Sequence, residues 1–78
     1  MTNYVDSHVG RRLRLLRKSK GLTQQTIAEA TGVRFQQIQK YESGANRISA
    51  RRLWQLSLAL NAPVEYFFEG MVDSEPVE

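Results

Sequence analysis

The chain has 78 residues, enough for one small domain, with no cysteine and a single histidine, which excludes disulfides, thiolate zinc sites and histidine clusters. No apolar run approaches the ~20 residues of a membrane span. The net charge of +3 conceals a split: all 11 Lys and Arg lie between Arg11 and Arg52, and with the three acids up to Arg52 (Asp6, Glu29, Glu42) that part carries +8, whereas from Leu53 onward five acids and no base give −5.

A basic body with an acidic C-terminal end suggests a polyanion-binding surface on the first part, although on charge alone a solvated face explains a +3 chain equally well. A chain this short buries only about 60% of its unfolded surface, so it needs an efficient core or a partner. The N-terminal Met-Thr-Asn-Tyr-Val-Asp lacks the charged-then-apolar order of a signal peptide, so a cytoplasmic protein without membrane association is expected. There is no Cys–His pair, Gly-rich phosphate loop or clustered carboxylates in the basic part. Neither an enzyme nor a cofactor is expected.

The pattern is helical almost throughout. Val9, Leu13 and Leu16 recur at i, i+4 and i+7, one face of a helix that Asp6 or Ser7 can cap and that stops at Lys20-Gly21. His8, in its first turn and off the stripe, is expected in solvent without a role. Thr23 caps a second helix over 24–31, ended by Gly32. A third covers 35–43, ended by Gly44. Ser49 caps a fourth, about 50–60, closed near Asn61. Pro63 suits the first turn of a fifth, reaching Phe68 with Gly70 after it. The expected division is a domain over 1–70 and an acidic flexible tail over 71–78.

The stretch from Gln24 to Ser43 carries the chemistry. Two short helices meet at Gly32, where a sharp turn wants the left-handed backbone that glycine accepts. Ala28 allows close approach, and Ile27, Val33, Ile38 and Tyr41 supply an apolar joint. This is a helix-turn-helix arrangement, whose second helix enters the DNA major groove, although an ordinary helical hairpin would look similar. With Ile38 and Tyr41 inward and about 100° per residue, Gln36, Gln39, Lys40 and Ser43 point outward. Glutamine suits adenine edges and lysine suits guanine O6 and N7. Helix N-termini attract phosphate. Arg34 stands at the N-cap of the third helix, where it forgoes a good cap worth ~1 kcal/mol, which makes sense if its guanidinium meets phosphate. Arg51 and Arg52 oppose the dipole at the start of the fourth helix, a conflict that a docked anion removes. Asn46 and Arg47 sit in the loop beside the third helix.

Gly21-Leu22-Thr23-Gln24, Gly32-Val33, Tyr41-Glu42-Ser43-Gly44, Leu53-x-x-Leu56 and Phe67-Phe68 together resemble the Cro/C1-type (xenobiotic-response-element, phage-repressor-like) helix-turn-helix family over about 9–70. The resemblance implies an all-α, compact five-helix lambda-repressor-like domain that binds operator DNA, usually as a dimer, and regulates transcription. It implies base contacts from Gln36 and Lys40, with Gln37 and Gln39 beside them, and a backbone contact from Gln24. Phe35 matches a position that often faces a base, where it could press on a thymine methyl; its angle equally suits the core. Ser43, Asn46, Arg47, Arg51 and Arg52 complete the phosphate set with Gln24 and Arg34. The family also pairs an Arg and a Glu at the places of Arg17 and Glu42, implying a partly buried salt bridge that fixes the first helix to the third.

The C-terminal part holds more apolar surface than one small core needs. Leu53, Leu56, Ser57 and Leu60 form an inward stripe, and Phe67 completes the core. Trp54 and Leu58, with Tyr66 and Phe68, are expected at a homodimer interface; the alternative has the fifth helix folding over Trp54 within one chain. A dimer reads two half-sites about one turn (~34 Å) apart on a near-palindromic operator. The expected function is a transcriptional regulator of the repressor or controller kind. The alternative is a protein-interaction module or antitoxin that uses the apolar C-terminal face, with a toxin or the transcription machinery as partner.

Overall fold

The computed structural model describes residues 3–71. The acidic tail expected over 71–78 lies outside the described residues except for Met71. The described chain is all α: α1 (Tyr4–Ser19), α2 (Gln24–Thr31), α3 (Phe35–Ser43), α4 (Ala50–Ala59) and a closing 3-10 helix (Val64–Phe68). The fifth helix of the expected five is thus a single 3-10 segment, with Tyr66 N–H donating to the Pro63 carbonyl at 3.0 Å. Five residues are too few to repay the nucleation of an α-helix, and a 3-10 turn is the usual short substitute.

The starts of α1, α2 and α4 follow from a local side chain. Asn3 Oδ1 accepts from the N–H groups of Val5 (2.8 Å) and Asp6 (3.3 Å), which corrects the cap expected at Asp6 or Ser7. Helix α1 therefore begins earlier, and Asp6 lies in its first turn, where the helix dipole favours an acid. Thr23 Oγ1 accepts from Thr26 N–H at 3.0 Å, and Ser49 Oγ accepts from Arg52 N–H at 3.1 Å. Arg34 occupies the N-cap of α3 without a side-chain hydrogen bond.

The core is one cluster fed by every element. Leu13, Ile27, Ile38, Leu56, Leu60 and Phe67 are all fully buried. Phe67 explains why the 3-10 helix matters in so short a chain: its ring enters a core that the other four helices leave open at one end. Burying a side chain of this size stabilises by roughly 1.5–3 kcal/mol.

Two α1 residues hold the 3-10 helix from outside, and one corrects an expectation. His8 is buried, not solvated: its Nε2–H donates to the Glu69 carbonyl at 2.7 Å. Arg12 donates from Nε to the Tyr66 carbonyl (3.0 Å) and from Nη2 to Glu69 Oε1 (2.9 Å). Its guanidinium carbon also lies 3.9 Å from the centroid of the Tyr66 ring. With this clasp α1 ties down the end of the 3-10 segment, through the Tyr66 carbonyl, which also accepts from Glu69 N–H (3.3 Å), and the Glu69 carbonyl just after it. His8 sits one turn before Arg12 on the edge of the stripe, so the same contact reaches both.

Helices α1 and α3 approach closely at Gly10. A methyl group there would lie 2.3 Å from the Tyr41 carbonyl oxygen and 2.9 Å from that of Glu42. Both obstacles are backbone, so relief requires α1 and α3 to separate. Gly10→Ala, despite its better helix propensity, is expected to destabilise by about 3 kcal/mol, at the upper end of overpacking. Urea unfolding checks this; an unchanged or raised midpoint would contradict the close approach.

Candidate nucleic-acid interface

Gly32 (φ +70°) makes the turn between α2 and α3, and Val33 N–H donates to the Ala28 carbonyl at 3.1 Å. Ala28, Ile27, Val33, Ile38 and Tyr41 are all buried, so the two helices meet through a dry joint. On α3, burial of Ile38, Tyr41 and Glu42 leaves Phe35, Gln36, Gln39 and Lys40 exposed, with Gln37 half-buried between the faces. Phe35 is 36% exposed, which removes the reading that places it in the core.

The orientation of α3 depends on a buried ion pair. Arg17 of α1 donates from Nε to Glu42 Oε2 (2.6 Å) and from Nη2 to Glu42 Oε1 (3.1 Å). Its Nη1 donates to the Leu22 carbonyl at 2.8 Å, within the α1–α2 connection. Gln24, the first residue of α2, donates from Nε2 to the same Glu42 Oε1 at 2.9 Å. The two side chains are only 10% and 4% exposed, and no buried side-chain polar atom among the described residues lacks a partner. One carboxylate thus joins α1, α2 and α3.

The cations and polar residues around α3 have differing freedom. Arg34 and Arg51 are exposed. Arg52 is half-buried and directed inward, with Nη1 donating to Gln55 Oε1 (2.9 Å) and to the Thr31 carbonyl (3.5 Å) at the C-terminus of α2. The α2 carbonyls there offer a cation the favourable end of a dipole, which the sequence reading of Arg52 did not weigh. Ser43 Oγ donates to the Lys40 carbonyl (3.1 Å) and accepts from Ala45 N–H (3.3 Å), so the hydroxyl serves the end of α3. Asn46 N–H donates to the Lys40 carbonyl at 3.3 Å, tying the α3–α4 loop to α3. Arg47 extends from this loop to within 3.4 Å of Asp6.

Away from α3, Trp54, Leu58 and Phe68 are 58%, 60% and 41% exposed. The 3-10 helix does not cover Trp54. Tyr66 packs within the chain, beneath Arg12 and edge-on to Phe67 with ring centroids 5.8 Å apart. Its place in an intersubunit set is correspondingly reduced, because Arg12 covers one ring face. No helix among the described residues is long and apolar enough to cross a membrane.

A short helix, a glycine turn and a second helix with a polar outer face, braced by a third helix, define a helix-turn-helix domain. The helix-turn-helix family model HTH_3 matches residues 13–67. The chain belongs to the Cro/C1-type helix-turn-helix family, whose members are DNA-binding transcriptional regulators and not enzymes. It is 50% identical over 74 residues to an uncharacterized transcriptional regulator in the ATPase CF(0) region of Rhodospirillum rubrum, covering 95% of this chain and 68% of the relative. It is 52% identical over 67 residues to an uncharacterized HTH-type transcriptional regulator of Sinorhizobium medicae, covering 86% of this chain and 48% of the relative. Against some relatives, then, the chain spans about half their length. Among solved structures, the restriction-modification controller protein C.AhdI from Aeromonas hydrophila superposes with a TM-score of 0.77 at 32% identity, covering 80% of this chain and 94% of that one.

Because Glu42 satisfies two helices besides its own, removing its charge should strand Arg17. Glu42→Gln is expected to cost about 3–5 kcal/mol, the usual penalty for breaking a buried pair. The denaturant midpoint reads this out; a midpoint equal to that of the wild type would show that the pair does not hold the helices together.

Proposed function

We propose that the chain binds duplex DNA sequence-specifically, as a cytoplasmic homodimer that regulates transcription by occupying a near-palindromic operator. The observation that carries the reading is the division of α3. Its apolar residues and Glu42 are buried, while Phe35, Gln36, Gln39 and Lys40 form an exposed face rich in the amide and ammonium groups that read base edges. In this reading Gln36 and Lys40 make the principal base contacts. Phe35 presses on a thymine methyl, and Gln37 and Gln39 contact neighbouring edges.

Phosphate contacts come from Gln24, Arg34, Ser43, Asn46, Arg47, Arg51 and Arg52, Ser43 only by turning its hydroxyl away from the Lys40 carbonyl. Gln24 donates one amide proton to Glu42 and keeps a second for phosphate, so the bond to Glu42 orients it. Arg34 leaves α3 uncapped, and the free N–H groups there remain available to an anion. Arg52 must leave Gln55 to reach DNA, which makes it the weaker member beside Arg51. The names of the relatives support the regulatory role, and the likeness to a restriction-modification controller protein supports the controller form of it.

Dimerisation is the second part of the proposal. Trp54 and Leu58, at i and i+4 on α4, present large apolar side chains that the described residues leave more than half exposed, and Phe68 adds to them. One α3 reads only a few base pairs, and a two-fold pair of them reads two half-sites.

Selection from random duplex DNA, combined with size determination in solution, tests both parts. A palindromic consensus and a dimeric mass are expected; the absence of any sequence preference would overturn the proposal. Lys40→Ala is expected to relax preference at one position of each half-site, a loss of roughly 1–3 kcal/mol of discrimination. Arg34→Ala should weaken all sequences alike and flatten the salt slope by about one unit. A changed consensus in Arg34→Ala would invert this assignment of roles. Trp54→Ala is expected to shift the mass toward monomer at micromolar protein without altering the melt of the isolated subunit by more than about 0.5 kcal/mol.

A further inference from the structure

The α3–α4 loop carries an ion pair that engages one cation of the proposed phosphate set. Arg47 Nε lies 3.4 Å from Asp6 Oδ1, 41 residues away in the chain. The two side chains sit in different surroundings: Arg47 is 73% exposed and Asp6 only 15%. Asp6 is held in the first turn of α1, its backbone N–H bonded to Asn3 and its charge favoured by the dipole. Arg47 has no comparable restraint. Its stem borders an apolar cleft of about 430 Å3 walled by Val5, Val9, Ile48, Leu53 and Phe68, so packing does not lock the guanidinium in place.

The other acids of the basic body are engaged differently. Glu42 faces Arg17 and Gln24, and Glu29 accepts from Gln25. Among the described residues, Asp6 is the acid that pairs with a cation of the proposed phosphate set. That cation is next to Asn46, whose backbone is tied to Lys40 on the proposed reading helix.

We infer that Asp6 is a built-in counter-ion that Arg47 exchanges for a DNA phosphate, so that this acid limits the affinity and the salt dependence of backbone binding. The inference rests on the DNA-binding reading above. A free arginine that docks on phosphate releases a condensed cation from the DNA and gains the full electrostatic benefit. Arg47 instead gives up Asp6, so its bond to phosphate is offset by the ion pair that it breaks and by the cation that the freed carboxylate takes up from solution. The benefit shrinks equally for every sequence, because phosphate carries no sequence information. Base contacts from Gln36 and Lys40 then account for a larger share of the total, while the ratio of operator to non-specific affinity is unchanged. Asp6 sets the strength of backbone binding through Arg47, without touching a base or altering sequence preference.

The test compares wild type, Asp6→Asn, Arg47→Ala and the double variant, each titrated against the selected operator and a scrambled duplex over a range of salt. Asp6→Asn is expected to bind both duplexes about 3- to 10-fold more tightly and to steepen the salt slope by about one unit. In the Arg47→Ala background, Asp6→Asn should change neither affinity nor slope by more than about 2-fold, since the exchange has been removed. Asp6→Ser carries the same expectation with a different shape, should the melt of Asp6→Asn show loss of fold. Unchanged affinity and slope in a folded Asp6 variant, or an effect that persists without Arg47, would overturn the inference while leaving DNA recognition intact. If wild type binds neither duplex at low salt, the DNA-binding reading itself fails and the inference falls with it.

Discussion

The rest of the molecule depends on the burial of one carboxylate. Glu42 lies on the inner face of α3, the element whose outer face is proposed to read DNA, and only Arg17 and Gln24 make its burial tolerable. An ionised carboxylate taken from water costs several kcal/mol unless its lone pairs are filled, and here each oxygen has a donor. The same contacts fix the angle of α3 relative to α1 and the rotation of α2 about its own axis. An apolar pair of similar volume could stabilise the joint as well, but it would tolerate sliding. A bidentate guanidinium–carboxylate pair does not, because its two hydrogen bonds are directional. In a helix that must present particular side chains to a groove, that directionality is the useful property.

Close packing at Gly10 acts with the ion pair. The glycine lets α1 lie against the carbonyls of Tyr41 and Glu42, which brings Arg17 within reach of the carboxylate one helix over. Steric fit sets the distance between α1 and α3, and electrostatics sets their register. Arg34 shows the opposite choice at the other end of α3, where a better cap is forgone and the helix N-terminus is left open to an external anion.

Small size shapes the C-terminal half. Four helices leave one end of the core open, and the 3-10 helix closes it with Phe67. A segment this short cannot hold itself in place. His8 and Arg12 supply, from α1, hydrogen bonds that hold its end, at the Tyr66 and Glu69 carbonyls. The apolar residues that this closure does not use, Trp54 and Leu58 above all, stay on the surface of α4. The intramolecular core and the proposed contact with a second copy thus divide the apolar side chains of one short stretch.

Local chemistry was legible in the sequence wherever a side chain acts within a few residues of itself. Caps at Thr23 and Ser49, the turn at Gly32, the extents of α2 and α3 and the inward stripe of α4 all follow from periodicity and from groups that bond to their own backbone neighbours. The outward set on α3 follows in the same way, from 100° of rotation per residue. Arg17 and Glu42 were legible for a different reason, as part of a family pattern. Contacts that depend on how helices lie across one another were not legible. Nothing near His8 marks it as bound to Glu69, and nothing near Arg12 places it on Tyr66. Arg47 carries no sign of Asp6, and Arg52 none of the end of α2. Each of those bonds spans at least 21 residues, and no sequence period encodes a separation of that kind. By itself the sequence determined the helices, their polarity and which face of α3 stays wet. Only the tertiary structure decided which charges are already spoken for, because a charge finds its partner through the packing of whole helices.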